Sequence, residues 1–193
     1  MRGVDISRKT KETDIKLSLS IDGSGKFEAP EDLGFLGHML DLFACHGKFD
    51  ISLDFKGDTY VDFHHSTEDI GIVLGQAFSK ALGDRRGITR YGSFIMPMYE
   101  ALMLVAIDIS GRSFVNFDVT IPDNQIGNFD SQLVEEFFIA FARTLGATVH
   151  FKLLCGKNSH HIVEAAFKGF AHALKTAVFI DGDEIPSSKG VID

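Results

Sequence analysis

The chain has 193 residues, of which 45% are hydrophobic, so it is long enough for one large domain or two fused halves. Its formal net charge is -8 and it has no basic tract, which argues against a nucleic-acid surface. No apolar run approaches the ~20 residues of a membrane span, residues 1–5 lack a signal-peptide hydrophobic region, and the two cysteines form no C-x-x-C pair. We therefore expect a cytoplasmic protein without a disulfide framework and with no nucleic-acid or membrane partner.

The first half of the chain is predicted to run strand, helix, strand, strand and helix. Alternating apolar and polar residues indicate the strands, whereas apolar residues at helical spacing indicate the helices. A glycine, Gly47 or Gly83, follows each helix and is suited to end it. In chain order these elements are residues 14–21, 33–46, 48–55, 59–63 and 68–82.

The pattern starts again after a basic loop at residues 84–87, and it predicts strand, strand, helix, strand and helix. The first two of these strands are expected to form a hairpin through residues 110–112. The run FFIAFA is more apolar than an exposed helix face would tolerate, so part of it should be buried between halves or between subunits. In chain order the elements are residues 101–109, 113–120, 132–145, 148–154 and 162–178.

The two halves therefore look like copies of one unit. We predict an internally duplicated α+β fold in which helices pack on one face of each sheet. The predicted division is residues 1–92 for the first half and residues 93–193 for the second, which carries a C-terminal phosphate-binding tail.

A short cluster, H-H-x-x-E, occurs at residues 64–68 and again at residues 160–164. Imidazole and carboxylate groups are ligands of borderline transition metals. On a helix, the Glu shares a face with both histidines, which themselves diverge by about 100°. Each copy can therefore direct its two histidines to different ions, which suggests two metal sites related by pseudo-symmetry. An adjacent His pair can also arise by chance or from a tag, but this one recurs with its Glu at the same offset.

The duplication nominates one further ligand in each half. His38 and Glu136 each lie on the other predicted helix of their half, upstream of its His pair. The alternatives are that His38 is an ordinary helix-face residue and that Glu136 is a solvated carboxylate beside Glu135. Octahedral sites of nitrogen and oxygen donors need this many ligands, which favours metal binding.

The C-terminal segment 185–190 has the composition of a phosphate cradle. It combines two serine hydroxyls with Lys189 and a flexible glycine backbone. Such a segment can also be an ordinary tail, and isolated cations can be ordinary surface charge. Further cations stand near the predicted ends of elements, namely Arg90, Arg112 and Lys168.

Across nearly its whole length the chain resembles the imidazoleglycerol-phosphate dehydratase family of histidine biosynthesis. The two His-pair segments together are highly specific, and the order and spacing of the other segments agree with them. Two positions depart from the family pattern, because Gly37 and Tyr99 stand where Asp is usual. The matching segments are FLGHMLDLFACHGKFD (35–50), VDFHHSTEDIGIVLGQA (61–77), ALGDRRGITRYG (81–92), DISGR (108–112), LVEEFF (133–138), KNSHHIVEAAFK (157–168) and PSSKG (186–190).

The resemblance implies two similar α+β halves of the ribosomal protein S5 domain 2-like type. It also implies a homo-oligomer of 24 subunits, with two Mn²⁺ ions per subunit in sites shared between neighbouring subunits. The implied metal ligands are His38, His64, His65, Glu68, Glu136, His160, His161 and Glu164. The implied substrate-binding residues are Glu12, His46, Arg90, Arg112, Lys168, Ser188 and Lys189.

The implied lyase reaction converts D-erythro-imidazoleglycerol phosphate to imidazole acetol phosphate. It must break a non-acidic C–H bond and expel a hydroxyl, with metal ions as template and Lewis acid and a clamp on the phosphate. Glu12 is the first candidate for proton transfer, and a histidine that leaves the metal, His65 or His161, is the second. Two other classes stay open: a binuclear metallohydrolase acting on a phosphoester, and a protein whose metals are structural clips between subunits.

Overall fold

Each half of the chain builds one four-stranded sheet in the computed structural model, which describes residues 2–192. The elements of the first half are β1 (Gly3–Lys9), β2 (Thr13–Ser20), β3 (Phe27–Glu28), α1 (Gly34–Gly47), β4 (Asp50–Gly57) and α2 (His64–Leu82). Those of the second half are β5 (Tyr91–Met98), β6 (Ala101–Asp108), β7 (Phe114–Asp118), β8 (Gln125–Ile126), β9 (Phe129–Asp130), α3 (Leu133–Leu145), β10 (Thr148–Cys155) and α4 (Ser159–Ala177).

The two four-stranded sheets have the same topology, and β8 and β9 form a separate two-stranded sheet. The strand order is β1-β2-β4-β3 in the first sheet and β5-β6-β10-β7 in the second. In each sheet the last strand runs parallel to its neighbour, and the other pairs are antiparallel. The strands form where apolar and polar residues alternate, because successive side chains of a strand point to opposite faces of the sheet. In β2, for example, Ile15, Leu17 and Leu19 are buried, and the residues between them are more exposed. These sheets and their helices confirm the predicted α+β class.

The helices connect the two halves. α2 packs on β1 and β2, and α4 packs on β5 and β6. The other two helices cross over, because α1 packs against α4 and α3 packs against α2. Most of the apolar run of α3 is buried: Phe137 and Phe138 are each 1% exposed and Phe141 is 0% exposed, whereas Ile139 is 37% exposed. Phe141 is buried between the halves, against Phe43 and Phe78, whereas Phe138 is buried within the second half, against its own sheet.

A four-phenylalanine cluster marks the centre of this shared interior. It takes one residue from each long helix, namely Phe43, Phe78, Phe141 and Phe170. The Phe141 ring centroid lies 6.2 Å from that of Phe43, 5.6 Å from that of Phe78 and 5.1 Å from that of Phe170. Phe43 and Phe170 are also stacked, at 5.8 Å. The cluster makes the halves one packing unit.

Two predicted elements are wrong. Residues 59–63 form a turn, in which the Val61 N–H donates to the Asp58 carbonyl at 2.8 Å, and Tyr60 is 90% exposed. The predicted hairpin of residues 101–109 and 113–120 does not form, because β7 pairs in parallel with β10. A short Gly-containing turn between two strand patterns favours a hairpin, but the true partner of β7 comes later in the chain.

Three edge strands, β1, β3 and β5, are missing from the predicted elements, and β1 and β5 are the long ones. β1 buries few residues, and β5 contains Gly92 and Pro97, which weaken a strand pattern. Both lie at the edge of their sheet, where a proline is tolerated. Residues 91 and 92, assigned above to the first half, begin β5 of the second sheet. Within residues 2–192, no helix combines the length and the apolar character needed to cross a bilayer.

Candidate metal and anion site

Three of the predicted metal ligands meet at the contact between α1 and α4. His38 lies on α1, and His160 and Glu164 lie one turn apart on α4. Their donor atoms lie within 4.8 Å of one another, and His160 Nε2 is 3.2 Å from Glu164 Oε2. This three-ligand cluster therefore joins a histidine of the first half to a His and a Glu of the second.

Glu164 is buried, with only 7% of the residue exposed, and its carboxylate contacts both His160 and Lys168. Burial acts to raise the pKa of this carboxyl, but the hydrogen bond and charge of Lys168 outweigh it, so the pKa is lowered. A carboxylate beside two imidazoles is a mixed oxygen and nitrogen donor set, which suits a divalent transition-metal ion. The residues of the three-ligand cluster therefore fit such an ion.

The second histidine of each pair faces a carboxylate. His161 Nδ1 lies 2.7 Å from Glu100 Oε2, and His65 Nδ1 lies 2.9 Å from Asp58 Oδ2. The hydrogen bond to Asp58 raises the pKa of His65. A carboxylate on one ring nitrogen fixes the orientation of an imidazole and leaves the other nitrogen for a metal ion. Both second histidines thus have the partner that a ligating histidine needs.

Glu100 is held from three directions. Its Oε1 accepts hydrogen bonds from the backbone N–H groups of Asn158 at 2.8 Å and Lys157 at 3.2 Å. The bond from Asn158 and the contact with His161 lower the pKa of Glu100 to about 2. Neither Glu100 nor Asp58 is among the site residues predicted from the sequence. The available signal was the duplication, since Glu100 lies between β5 and β6 as Glu12 lies between β1 and β2.

The other predicted ligands are not gathered in the same way. His64 is exposed at the start of α2, and Glu136 lies in the first turn of α3. Glu68 forms an ion pair with Arg143 of α3 at 3.2 Å. In the part of the chain that the structure describes, they form no group of three donors as close as the three-ligand cluster.

A second constellation is a cationic cavity of about 400 Å³. Serine hydroxyls and the side chains of Arg112 and Lys189 can bind the oxygens of a phosphate group there, and Arg90 also lines the cavity. Four of the residues that line it were predicted to bind substrate, namely Arg90, Arg112, Ser188 and Lys189.

Arg90 attaches the C-terminal segment to this cavity. Its guanidinium donates to both carboxylate oxygens of Asp108, at 2.7 Å and 3.2 Å, and to the Pro186 carbonyl at 2.9 Å. Its φ of 72° lies in the left-handed region, which is uncommon for residues other than glycine. The backbone is held there because the Arg90 N–H donates to Ala177 and its carbonyl accepts from Ile109.

The remaining predicted substrate-binding residues lie outside this cavity. Lys168 is bonded to Glu164, and His46 packs near His172, with ring centroids 5.4 Å apart. Burial and the charge of Lys168 lower the pKa of His46. Glu12 lies in the other half, where its Oε2 is 3.9 Å from His65 Nδ1.

A duplicated α+β chain with an imidazole–carboxylate cluster and a separate cationic cavity is an enzyme scaffold for a small anionic substrate. The family model described as imidazoleglycerol-phosphate dehydratase matches residues 32–174. The chain belongs to this family.

Similar proteins agree with this assignment over the full length. The imidazoleglycerol-phosphate dehydratase of Caldicellulosiruptor bescii is 56% identical over 191 residues, which cover 99% of this chain and 98% of that protein. The enzyme of Azorhizobium caulinodans is 52% identical over 195 residues, covering 100% of this chain and 99% of that protein.

Two solved structures of the family have the same fold. The crystal structure of the enzyme from Staphylococcus aureus superposes with a TM-score of 0.84 at 37% identity, covering 92% of this chain and 99% of that chain. The enzyme from Pyrococcus furiosus gives a TM-score of 0.84 at 43% identity, covering 96% and 99%. The chain is therefore a hydro-lyase of histidine biosynthesis that removes water from imidazoleglycerol phosphate.

Proposed function

We propose that this dehydration depends on two Mn²⁺ ions per chain. The observation that carries the proposal is the three-ligand cluster, whose donor atoms lie within 4.8 Å of one another. A divalent ion would supply a Lewis acid and a template for the substrate. The proposed ligands are His38, His64, His65, Glu68, Glu136, His160, His161 and Glu164.

We propose further that neighbouring copies of the chain share these sites in a homo-oligomer of 24 subunits. Three protein ligands leave positions open on an octahedral ion, so ligands from another chain have room to bind. Tyr60 and Tyr99 are each 90% exposed, and each stands close in sequence to residues that contact a His pair. Large exposed aromatic side chains at such places support a contact between subunits.

The cationic cavity is the proposed clamp for the substrate phosphate. Arg112, Ser188 and Lys189 would hold its oxygens, and Arg90 would keep the C-terminal segment in place. His46 and Lys168 are proposed to contact the remainder of the substrate. Fixing the phosphate presents the reacting carbons in one orientation, which removes much of the entropic barrier.

The proposed acid–base groups are Glu12, His65 and His161. A base takes the C–H proton, the electron pair of that bond forms a C=C bond, and the C–O bond breaks. The hydroxyl leaves as water once an acid protonates it, and the enol then rearranges to the ketone, imidazole acetol phosphate. Glu12 is the first of these because its carboxylate lies beside a proposed metal ligand, with Oε2 3.9 Å from His65 Nδ1. Location in the cytoplasm stays a prediction.

Metal dependence can be tested on anaerobically purified protein. We expect elemental analysis to find close to two divalent ions per chain, and ketone formation to disappear with chelator and return with Mn²⁺. Glu164→Gln should lose most of the bound metal, whereas Glu135→Gln, an exposed neighbour of a proposed ligand, should keep it. Full activity in metal-free protein would contradict the proposal. Release of inorganic phosphate from the substrate would instead support a phosphoester hydrolase.

A further inference from the structure

The two halves differ at one pair of equivalent glutamates. Glu12 lies in the turn between β1 and β2, and Glu100 lies in the turn between β5 and β6. Glu100 Oε2 is 2.7 Å from the second histidine of its half, whereas Glu12 Oε2 is 3.9 Å from His65 Nδ1. Only Glu100 makes the direct contact.

The surroundings of the two glutamates differ accordingly. Glu100 accepts backbone hydrogen bonds from Lys157 and Asn158, so its carboxylate is fixed while it contacts His161. Among residues 2–192, no donor is hydrogen-bonded to the Glu12 carboxylate, and the Glu12 side chain is 52% exposed. The Glu12 carboxylate therefore lacks the hydrogen bonds that hold Glu100 within the part of the chain that the structure describes.

A different carboxylate replaces Glu12 beside His65. Asp58 directly follows β4, its N–H donates to the Glu12 carbonyl at 3.1 Å, and its Oδ2 lies 2.9 Å from His65 Nδ1. Its side chain is only 14% exposed. In the second half, the Gly-Lys pair that ends at Lys157 stands where Gly57 and Asp58 stand in the first. Lys157 has no carboxylate, and in the second half it is the turn glutamate, Glu100, that contacts the second histidine, His161.

We propose that the two equivalent turn glutamates, Glu12 and Glu100, have different roles. Glu100 and Asp58 are positioning residues that orient His161 and His65 for metal binding. In the first half Asp58 orients His65, so the Glu12 carboxylate is not needed there and is available to contact the substrate. The inference rests on the proposed function, in which both second histidines bind metal.

The test compares metal affinity with rate in three variants. Glu100→Gln keeps the side-chain shape and an oxygen acceptor for the backbone, but it puts an amide against His161. We expect this variant and Asp58→Asn to raise the Kd for Mn²⁺ by roughly 10–100-fold, with kcat recovering when Mn²⁺ is saturating. Glu12→Gln should bind Mn²⁺ like the wild type and lose kcat by roughly 100-fold or more at any Mn²⁺ concentration.

Manganese affinity is measured by chelator competition, and thermal unfolding of the metal-free proteins confirms that each variant is folded. Glu31→Gln, an exposed carboxylate in the turn before α1, is the matched control and should change neither Kd nor kcat. If one positioning variant does not fold, the other still tests the inference. Unchanged Mn²⁺ affinity in the folded positioning variants, or weakened affinity in Glu12→Gln, would overturn it. A wild-type protein that binds no Mn²⁺ would overturn the proposed function as well, so the two failures are distinguishable.

Discussion

Substituting Phe141 by alanine should destabilise both halves together. The Phe141 side chain is fully buried and its ring contacts the phenylalanines of the other three long helices. Removing a buried Phe ring costs about 4 kcal/mol of the free energy of unfolding, through lost burial and the cavity left behind. For a chain of this length, that lowers the melting temperature by roughly 8–16 °C.

The assay is thermal and urea unfolding of metal-free protein, followed by hydrogen exchange of peptides from β2 and β10. It is run at one protein concentration, because assembly would make stability depend on concentration. Phe179→Ala is the control, since Phe179 is 64% exposed and its loss should cost less than ~0.5 kcal/mol. We expect one transition in every variant, and faster exchange in both sheets of Phe141→Ala. If Phe141→Ala instead unfolded in two transitions, and only the transition of the second half moved to lower temperature, the two halves would not share one interior.

Three further outcomes can be measured. Lys189→Ala should weaken substrate binding by about 2 kcal/mol, or roughly thirtyfold, and leave metal content unchanged, because it removes one charge-assisted contact to phosphate. Metal removal by chelator, or acidification that protonates the histidines, should dissociate the oligomer in size-exclusion chromatography; an unchanged elution volume after confirmed metal loss would contradict shared sites. The hydrogen bond from Arg2 lowers the pKa of Asp22 below 3.8, so its stabilising effect is present above that pH and is lost as the pH falls through the folded value. The free energy of unfolding of Asp22→Asn should therefore be lower than that of the wild type near neutral pH. At low pH the two values should become equal.

Most of the helices and the central strands could be predicted from the sequence, because their apolar periodicity is strong and local. The predicted helix 33–46 differs from α1 by one residue at each end. The edge strand β5 could not be predicted in the same way, since Gly92 and Pro97 interrupt its pattern. The partner of β7 is β10, which lies well beyond it in the chain, and no local pattern reports such a pairing.

For the candidate site, too, local features could be predicted from the sequence, whereas contacts between distant segments could not. The repeated H-H-x-x-E cluster and its helical setting could be read from the sequence, and His38 could be named as a ligand. Its meeting with the second copy, rather than with the copy of its own half, could not, because that depends on α1 packing against α4. The contact of His161 with Glu100 could not, because it depends on how a turn between two strands packs against the start of a later helix. Comparing the two halves position by position would have found Glu100 as the counterpart of Glu12.

The crossed packing of the helices has an evolutionary consequence. One repeat alone would expose the helix face that the other repeat covers, and it would hold only part of the three-ligand cluster. A one-repeat ancestor would therefore have needed to associate as a pair to gain both an interior and a metal-binding cluster. Within one chain the pairing is permanent, and each copy of the repeat can change separately. The halves differ at such equivalent positions, with Glu136 opposite His38 and Lys157 opposite Asp58, and a pair of identical chains could not carry these differences.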